Sequence, residues 1–293
     1  MTSHLAEAGR TLIPRNNDRY GLLSPALVIL TFVAGLVDAL SYLAMGRVFV
    51  ANVTGNIVFL GFSIAHAQGF VWWTSTLALL AFIVGALIGG RIIRRFGDNH
   101  AKHLLVATGV QTMFVVAALI GIYLLNHFSS EPTMGGTAAA AATRATPSLN
   151  FPTASHIDLH IIMLIVLLAP AMGIQNSTAR KLSVPDLPTT VMTMTLTGIV
   201  ADTSARGHEH SKLGRRAVAM TALALGALTG ALLQTHGHED VILIVMIVCL
   251  LLVIAMMMPH IHSDASWTIA GKSPASSQTQ PQQTQQKQQT HRG

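Results

Sequence analysis

The residues of this chain that could do chemistry are few, and they lie inside apolar stretches. Asp38 is the foremost. It sits thirteen residues beyond Pro25, about 20 Å along a helix at 1.5 Å per residue. A carboxylate that deep in an apolar span costs several kcal/mol unless it is paired, protonated or wetted. It therefore reads as a proton or cation site, or else as an aspartate that bridges to a neighbouring helix. Asn52, Thr54 and Asn56 surround Gly55. Glycine permits backbone geometry that a regular helix forbids. Carbonyls released by such a break suit a cation, and released amides suit an anion. Close interhelical packing is the competing explanation. Gln175 and Asn176 follow Pro170, which weakens the helix upstream. Their amides fit recognition of a polar solute, or a bond to the first half of the chain. Thr189, Thr193 and Thr197 recur every four residues and share a helix face. Such a stripe lines a polar path or bonds to backbone carbonyls.

These residues fall into two series with the same order. Gly35 to Asp38 is followed by Thr54-Gly55-Asn56 and then by Gly85-Ala86-Leu87-Ile88-Gly89. Gly173 to Asn176 is followed by Thr197-Gly198 and then by Gly226-Ala227-Leu228-Thr229-Gly230. Gln175 and Asn176 thus occupy the places of Val37 and Asp38. Only the first series carries the titratable group, as a single coupling site at an interface would require. The glycine pairs four apart read as close-packing helix surfaces. Two internal repeats with polar breaks in apolar segments are a transporter plan.

The elements that must hold these residues are membrane spans. The chain is 51% hydrophobic and 10% charged, against about 25% charged in a soluble domain. Eight apolar segments can be marked, near 25–45, 48–66, 70–91, 104–125, 157–178, 189–205, 214–234 and 239–258. The second and sixth are polar for their length. If those two dip in and return, six segments cross. Of the 18 Lys and Arg, all but Arg47 and Arg144 then face the cytoplasm. If all eight cross, Arg91, Arg94, Arg95, Lys102, Arg180 and Lys181 move outside. The positive-inside rule selects six crossings. Three crossings per half invert one repeat relative to the other.

The net charge of +6 sits at the ends of apolar segments, so it sets orientation and does not mark nucleic-acid binding. The single Cys249 forbids an intramolecular disulfide. The pairs His208/His210, His236/His238 and His260/His262 lie in short hydrophilic turns without four-ligand spacing, so no metal is assigned. Asp202 and Arg206 read as an exposed helix-end pair. No nucleotide fingerprint, phosphate loop or nucleophile elbow is present. The chain is therefore not expected to be an enzyme, and no cofactor is expected.

Two stretches carry a resemblance. One is Ala34-Gly35-Leu36-Val37-Asp38-Ala39-Leu40-Ser41-Tyr42 with Phe49-Val50-Ala51-Asn52-Val53-Thr54-Gly55-Asn56. The other is Gly173-Ile174-Gln175-Asn176 with Thr195-Leu196-Thr197-Gly198. Together they resemble the YoaK-like family of bacterial inner-membrane proteins, whose domain (number 1275 among domains of unknown function) has no assigned activity. The resemblance covers roughly residues 25–258. It implies a polytopic protein of the bacterial inner membrane and supplies no reaction, substrate or established site residues. The Ala-rich loop and Gln-rich tail look like additions to the family pattern.

The expected protein is an all-α, polytopic membrane protein with about six transmembrane helices and two short polar segments. Residues 1–24 form a cytoplasmic N-terminal segment, and no cleavable signal is expected. Residues 25–125 and 157–258 are the two membrane repeats, joined by a loose external loop at 126–156. Residues 259–293 form a disordered cytoplasmic tail. The leading functional expectation is a secondary transporter or permease for a small solute or ion, proton-coupled through Asp38. Asn52, Thr54, Asn56, Gln175, Asn176 and Thr197 would line the site. The competing expectation is a non-transporting scaffold or accessory subunit. The partners expected are the lipid bilayer and a small solute, with no nucleic acid, and a homo-oligomer is compatible with the sequence.

Overall fold

The structure, a computed structural model, describes residues 21–129, 159–182 and 213–261, together with Gly9 and Thr11. Seven α-helices occupy the described segments after residue 20. They are α1 (Leu23–Ala44), α2 (Thr54–Ile64), α3 (Trp72–Phe96), α4 (His100–Ser129), α5 (Leu159–Leu182), α6 (Leu213–Thr235) and α7 (Glu239–Met257). A 3-10 turn, Met258–His260, follows α7. All but α2 are long and apolar enough to cross a membrane. At 11 residues α2 is about 16 Å long, roughly half a hydrocarbon core. The expected sixth segment, 189–205, and most of the external loop and tail lie outside the described residues.

Local chemistry sets the boundaries. Asn99 caps α4, its Oδ1 accepting from the Lys102 amide at 2.9 Å. Gly97 closes α3 by donating to the Ile93 carbonyl at 2.8 Å. Gly237, with φ of +76°, makes the tight turn between α6 and α7. The helix of the first half runs past the expected boundary at 125, to Ser129. Leu124 and Leu125 are followed by Asn126 and His127, which helix geometry tolerates without a breaker.

Two parallel seams join the halves. In the first, α1 lies along α6. Gly35 abuts the backbone of Leu223, Gly226 and Ala227, while Gly226 abuts Phe32 and Leu36, and Gly230 abuts Leu36 and Ala39. In the second, α3 lies along α5. Gly173 abuts the backbone of Phe82, Gly85 and Ala86, while Gly85 abuts Pro170, and Gly89 abuts Ile174 and Ser177. At each contact a Cβ on the glycine would strike backbone or side-chain atoms, so the absence of a side chain sets the approach.

These seams fix helix directions. The turns at 97–99 and 236–238 make α3 antiparallel to α4 and α6 antiparallel to α7. The Asn99 amide reaches the Ile261 carbonyl at 3.2 Å, which sets α4 against the end of α7. Hence α1, α4 and α6 run one way, and α3, α5 and α7 run the other. Ala44 and Trp72 lie on one face, so the connection holding α2 begins and ends on that face. Leu182 and Leu213 share the opposite face, which also carries Arg94, Arg95, Lys102, Arg180, Lys181, Arg215 and Arg216. Among the described residues this gives six helices long enough to cross, in alternating directions. The central helix is α1, with 72% of its apolar window buried, whereas α6 is peripheral at 17%. Leu80, Ile83 and Leu87 on α3 and Leu225, Leu228 and Leu232 on α6 are exposed, as lipid-facing residues must be.

Candidate functional site

The end of α1 remote from the basic face holds the densest polar cluster. Asp38 lies six residues before Ala44, about 9 Å from the helix end. The chain leaves α1 through Gly46 and Arg47, both at positive φ (82° and 56°), and folds back over the helix. That reversal brings residues 51 and 52 to the carboxylate. Asp38 Oδ1 accepts from the Ala51 amide at 2.9 Å and from the Asn52 amide at 3.3 Å. Asp38 Oδ2 accepts from the Asn52 side-chain amide. A carboxylate is an acceptor-only group, and three N–H donors converge on this one. The aspartate is 7% exposed.

Asn56, fully buried, ties the next stretch. Its Oδ1 accepts from the Phe49 amide at 2.9 Å, and its Nδ2 donates to the Phe49 carbonyl at 2.6 Å. The asparagine thus satisfies both peptide groups of Phe49, as a neighbouring strand would. Buried backbone groups require such partners. Rings reinforce the loop. Phe49 stacks on Tyr42 at 5.2 Å and on Phe59 at 5.5 Å, Phe70 lies 5.3 Å from Phe59, and the Arg47 guanidinium lies 5.4 Å over Phe70. Thr54, by contrast, is exposed at the start of α2.

Gln175 belongs to a second polar group deeper in the bundle. Its Oε1 accepts from Gln111 Nε2 at 2.7 Å, and its own Nε2 donates to the Leu30 carbonyl at 2.9 Å. Three helices, α1, α4 and α5, meet at these amides. Leu30 precedes Asp38 by eight residues, so the two groups are about 12 Å apart along α1. Between them Val33, Ala34, Leu36 and Val37 are fully buried. Asn176 is half-buried next to Gln175 and engaged with a neighbour. Thr197, the Thr189–Thr193 stripe, Asp202 and the His208/His210 pair lie outside the described residues. The structure therefore brings Asp38, Asn52 and Asn56 together and places Gln175 in a separate, deeper group.

Gln111, His103 and Thr178 are among the buried polar residues that escape the sequence reading. Gln111 follows Thr108, Thr178 follows Gln175 and His103 follows His100, each by three residues on one helix face, and no motif marks them. His103 is 0% and Thr178 1% exposed. Among the described residues, neither ring nitrogen of His103 nor the Thr178 hydroxyl has a hydrogen-bond partner. The one signal available was the presence of a His and a Gln within a span.

At the outer end of α4, α5 and α7 lies a cleft of about 530 Å³, lined by Tyr123, Asn126, His160, Glu239 and Asp240 among others. His160 Nε2 faces Glu239 Oε2 at 3.5 Å, and Gln234 donates to Glu239 at 3.1 Å. No group of three or more His, Cys, Asp or Glu suited to a metal occurs among the described residues.

Comparison with known proteins agrees with the helical plan. Residues 26–256 match the family described as "Protein of unknown function (DUF1275)". The UPF0700 transmembrane protein YoaK of Bacillus subtilis (strain 168) is 30% identical over 223 residues, which cover 74% of this chain and 86% of that protein. No solved structure matches the chain. With six apolar spans among the described residues, Asp38, Asn52 and Asn56 brought together at one end of α1, and a match over most of its length, this chain is a member of the DUF1275 family of membrane proteins.

Proposed function

We propose that the chain is a secondary transporter or permease for a small solute, resident in the bacterial inner membrane with its basic face in the cytoplasm, and that it is not an enzyme. The observation that carries this reading is the pair of matched seams. Each seam joins a helix of one half to a helix of the other at glycine contacts of the same spacing. Two inverted repeats, packed on each other through smooth surfaces around buried polar groups, are built to rock. The basic residues at one face supply the orientation.

Asp38 is the coupling residue in this reading. As a carboxylate it accepts three N–H bonds that hold residues 51 and 52 against α1. A proton on either oxygen places an O–H donor among N–H donors and breaks part of that set. Proton uptake would thus loosen the outer connection. The test is a pH gradient across proteoliposomes, challenged with a panel of small polar solutes. At least one solute should dissipate the gradient with the native chain, and none with Asp38→Asn. Gradient dissipation that survives Asp38→Asn removes the proton role.

A second reading, a non-transporting scaffold, is favoured by one observation. Asp38, Asn52 and Asn56 bond to the chain's own backbone and to each other, which is what structural residues do. A native chain that moves no solute in any condition, while Asn56→Ala and Gln175→Ala lose much of their thermal stability, would decide for it.

A further inference from the structure

We propose that the basic-face half of the α1–α4–α5 interior is a hydrated chamber that accepts a small uncharged solute bearing both hydrogen-bond donors and acceptors. The proposal deepens the transport reading and rests on it only for what the chamber is used for. The chamber is framed by Gln111, Gln175, Thr178 and His103.

Helices α4 and α5 are antiparallel, and the Gln111–Gln175 bond at 2.7 Å sets their register. From that level Thr178 lies three residues toward the basic face, about 4.5 Å. His103 lies eight residues from Gln111 in the same direction, about 12 Å. Polar groups therefore occupy successive levels from mid-depth to the basic face. Along α1 buried apolar residues flank this level on both sides, Leu23, Ala26 and Leu27 toward the basic face and Val33, Ala34, Leu36 and Val37 away from it, and the polar groups of the path come from α4 and α5.

Burial makes these groups demanding. A buried polar atom without a partner costs about 1–3 kcal/mol. His103 leaves two such atoms and Thr178 one, all from side chains at least 99% buried. A fold that retains three orphaned atoms along one path is expected to satisfy them with something small. The chemistry of the path narrows what that is. Amide, hydroxyl and neutral imidazole each present a donor and an acceptor. The charged and titratable groups around His103 are His100 on its own helix, Lys181 on α5, and His260 on the 3-10 turn packed against α4. Among the described residues no carboxylate stands with them to receive a cation. An uncharged solute with both donors and acceptors suits His103 and Thr178, whereas Gln175 is already engaged with Gln111 and the Leu30 carbonyl.

The test uses the full chain with Cys249→Ala, so that an introduced thiol is the only one. Thr178→Cys, nearly isosteric, is treated with methyl methanethiosulfonate in detergent and in vesicles. Thiols react as thiolates, which form only where water reaches. Thr178→Cys is expected to react at least about tenfold faster than Ala169→Cys, a fully buried position on the same helix. Glycerol or urea is expected to slow it about twofold or more by occupancy. Labelling at the Ala169→Cys rate overturns the chamber. Fast labelling that neither solute slows gives the space to water alone and overturns the solute assignment. His103→Leu supplies an independent reading: a raised melting temperature marks His103 as a dry orphan and also overturns the chamber, while an unchanged or lowered one supports it. Protected labelling in a protein that moves no solute would keep the chamber and dismiss transport.

Discussion

The α1–α6 seam and the α3–α5 seam are nearly superposable in their contacts, yet the helices that complete each half differ. Gly173 stands where Gly35 does, Pro170 where Phe32 does, Gly85 where Gly226 does, and Phe82 where Leu223 does. Spacing within each helix is the same. The third helix of the first half, α4, buries His103, Thr108 and Gln111. The third helix of the second half, α7, buries Ile242, Leu243, Met246, Leu250, Val253 and Met257, all apolar. Of these two third helices, only that of the first half buries polar side chains, while the packing plan is shared. Small residues set how the halves meet. Buried polar side chains on α1, α4 and α5 set what lies between them.

Disrupting a seam should have the largest effect. Gly85→Val places a branched side chain against the Pro170 backbone, and Gly226→Val does the same against Phe32. Each should cost several kcal/mol or abolish folded protein, because backbone contacts cannot yield as a side chain does. The two should be alike by size-exclusion chromatography and thermal melting. A tolerated Gly226→Val beside a lethal Gly85→Val would break the equivalence of the seams.

Next come the polar groups. Gln175→Ala strands Gln111 and frees the Leu30 carbonyl, and should lower stability by about 2–4 kcal/mol. Replacing Gln111 and Gln175 together with Leu should restore much of that loss, since no amide is then stranded and only the Leu30 carbonyl lacks its side-chain donor. A double variant no better than the single one would show that the amides hold more than each other. Asn56→Ala removes both bonds to Phe49 and should cost about 1–3 kcal/mol, read as a lower melting temperature and as earlier proteolysis near residues 45–53. If the outer connection keeps its protection, the asparagine does not hold it. The smallest change is Gly61→Ala on α2. Nothing lies within 4 Å of the position an added Cβ would take. It should gain a few tenths of a kcal/mol through helix propensity. A large loss there would mean that α2 has a partner on its open side.

Much of this fold was legible in the sequence. Hydropathy marked the spans, and the asymmetry of Lys and Arg favoured six crossings over eight, because both signals sum over many residues. The glycines four apart marked the packing surfaces for the same reason. Which helix meets which was not legible. Parallel pairing of α1 with α6 and of α3 with α5 depends on contacts between segments nearly 200 and nearly 90 residues apart, respectively. Asp38, Asn52 and Asn56 were identified as polar residues that must be satisfied, but not by what. Their partners are backbone amides and carbonyls of Phe49, Ala51 and Asn52, which every residue possesses and no sequence pattern advertises. His103 and Gln111 were missed because a pair of polar residues three apart, His100 with His103 or Thr108 with Gln111, is too short to leave a periodic trace in an apolar span.

The central place of α1 has a consequence for biogenesis. Its longest contact is with α6, whose first residue, Leu213, is polymerised about 170 residues after Ala44. At 5–20 residues per second that is an interval of about 10–35 s. Throughout it, the smooth glycine side of the first-made span has no mate from its own polypeptide. Lipid or another protein must cover that surface until Leu213–Thr235 has been made.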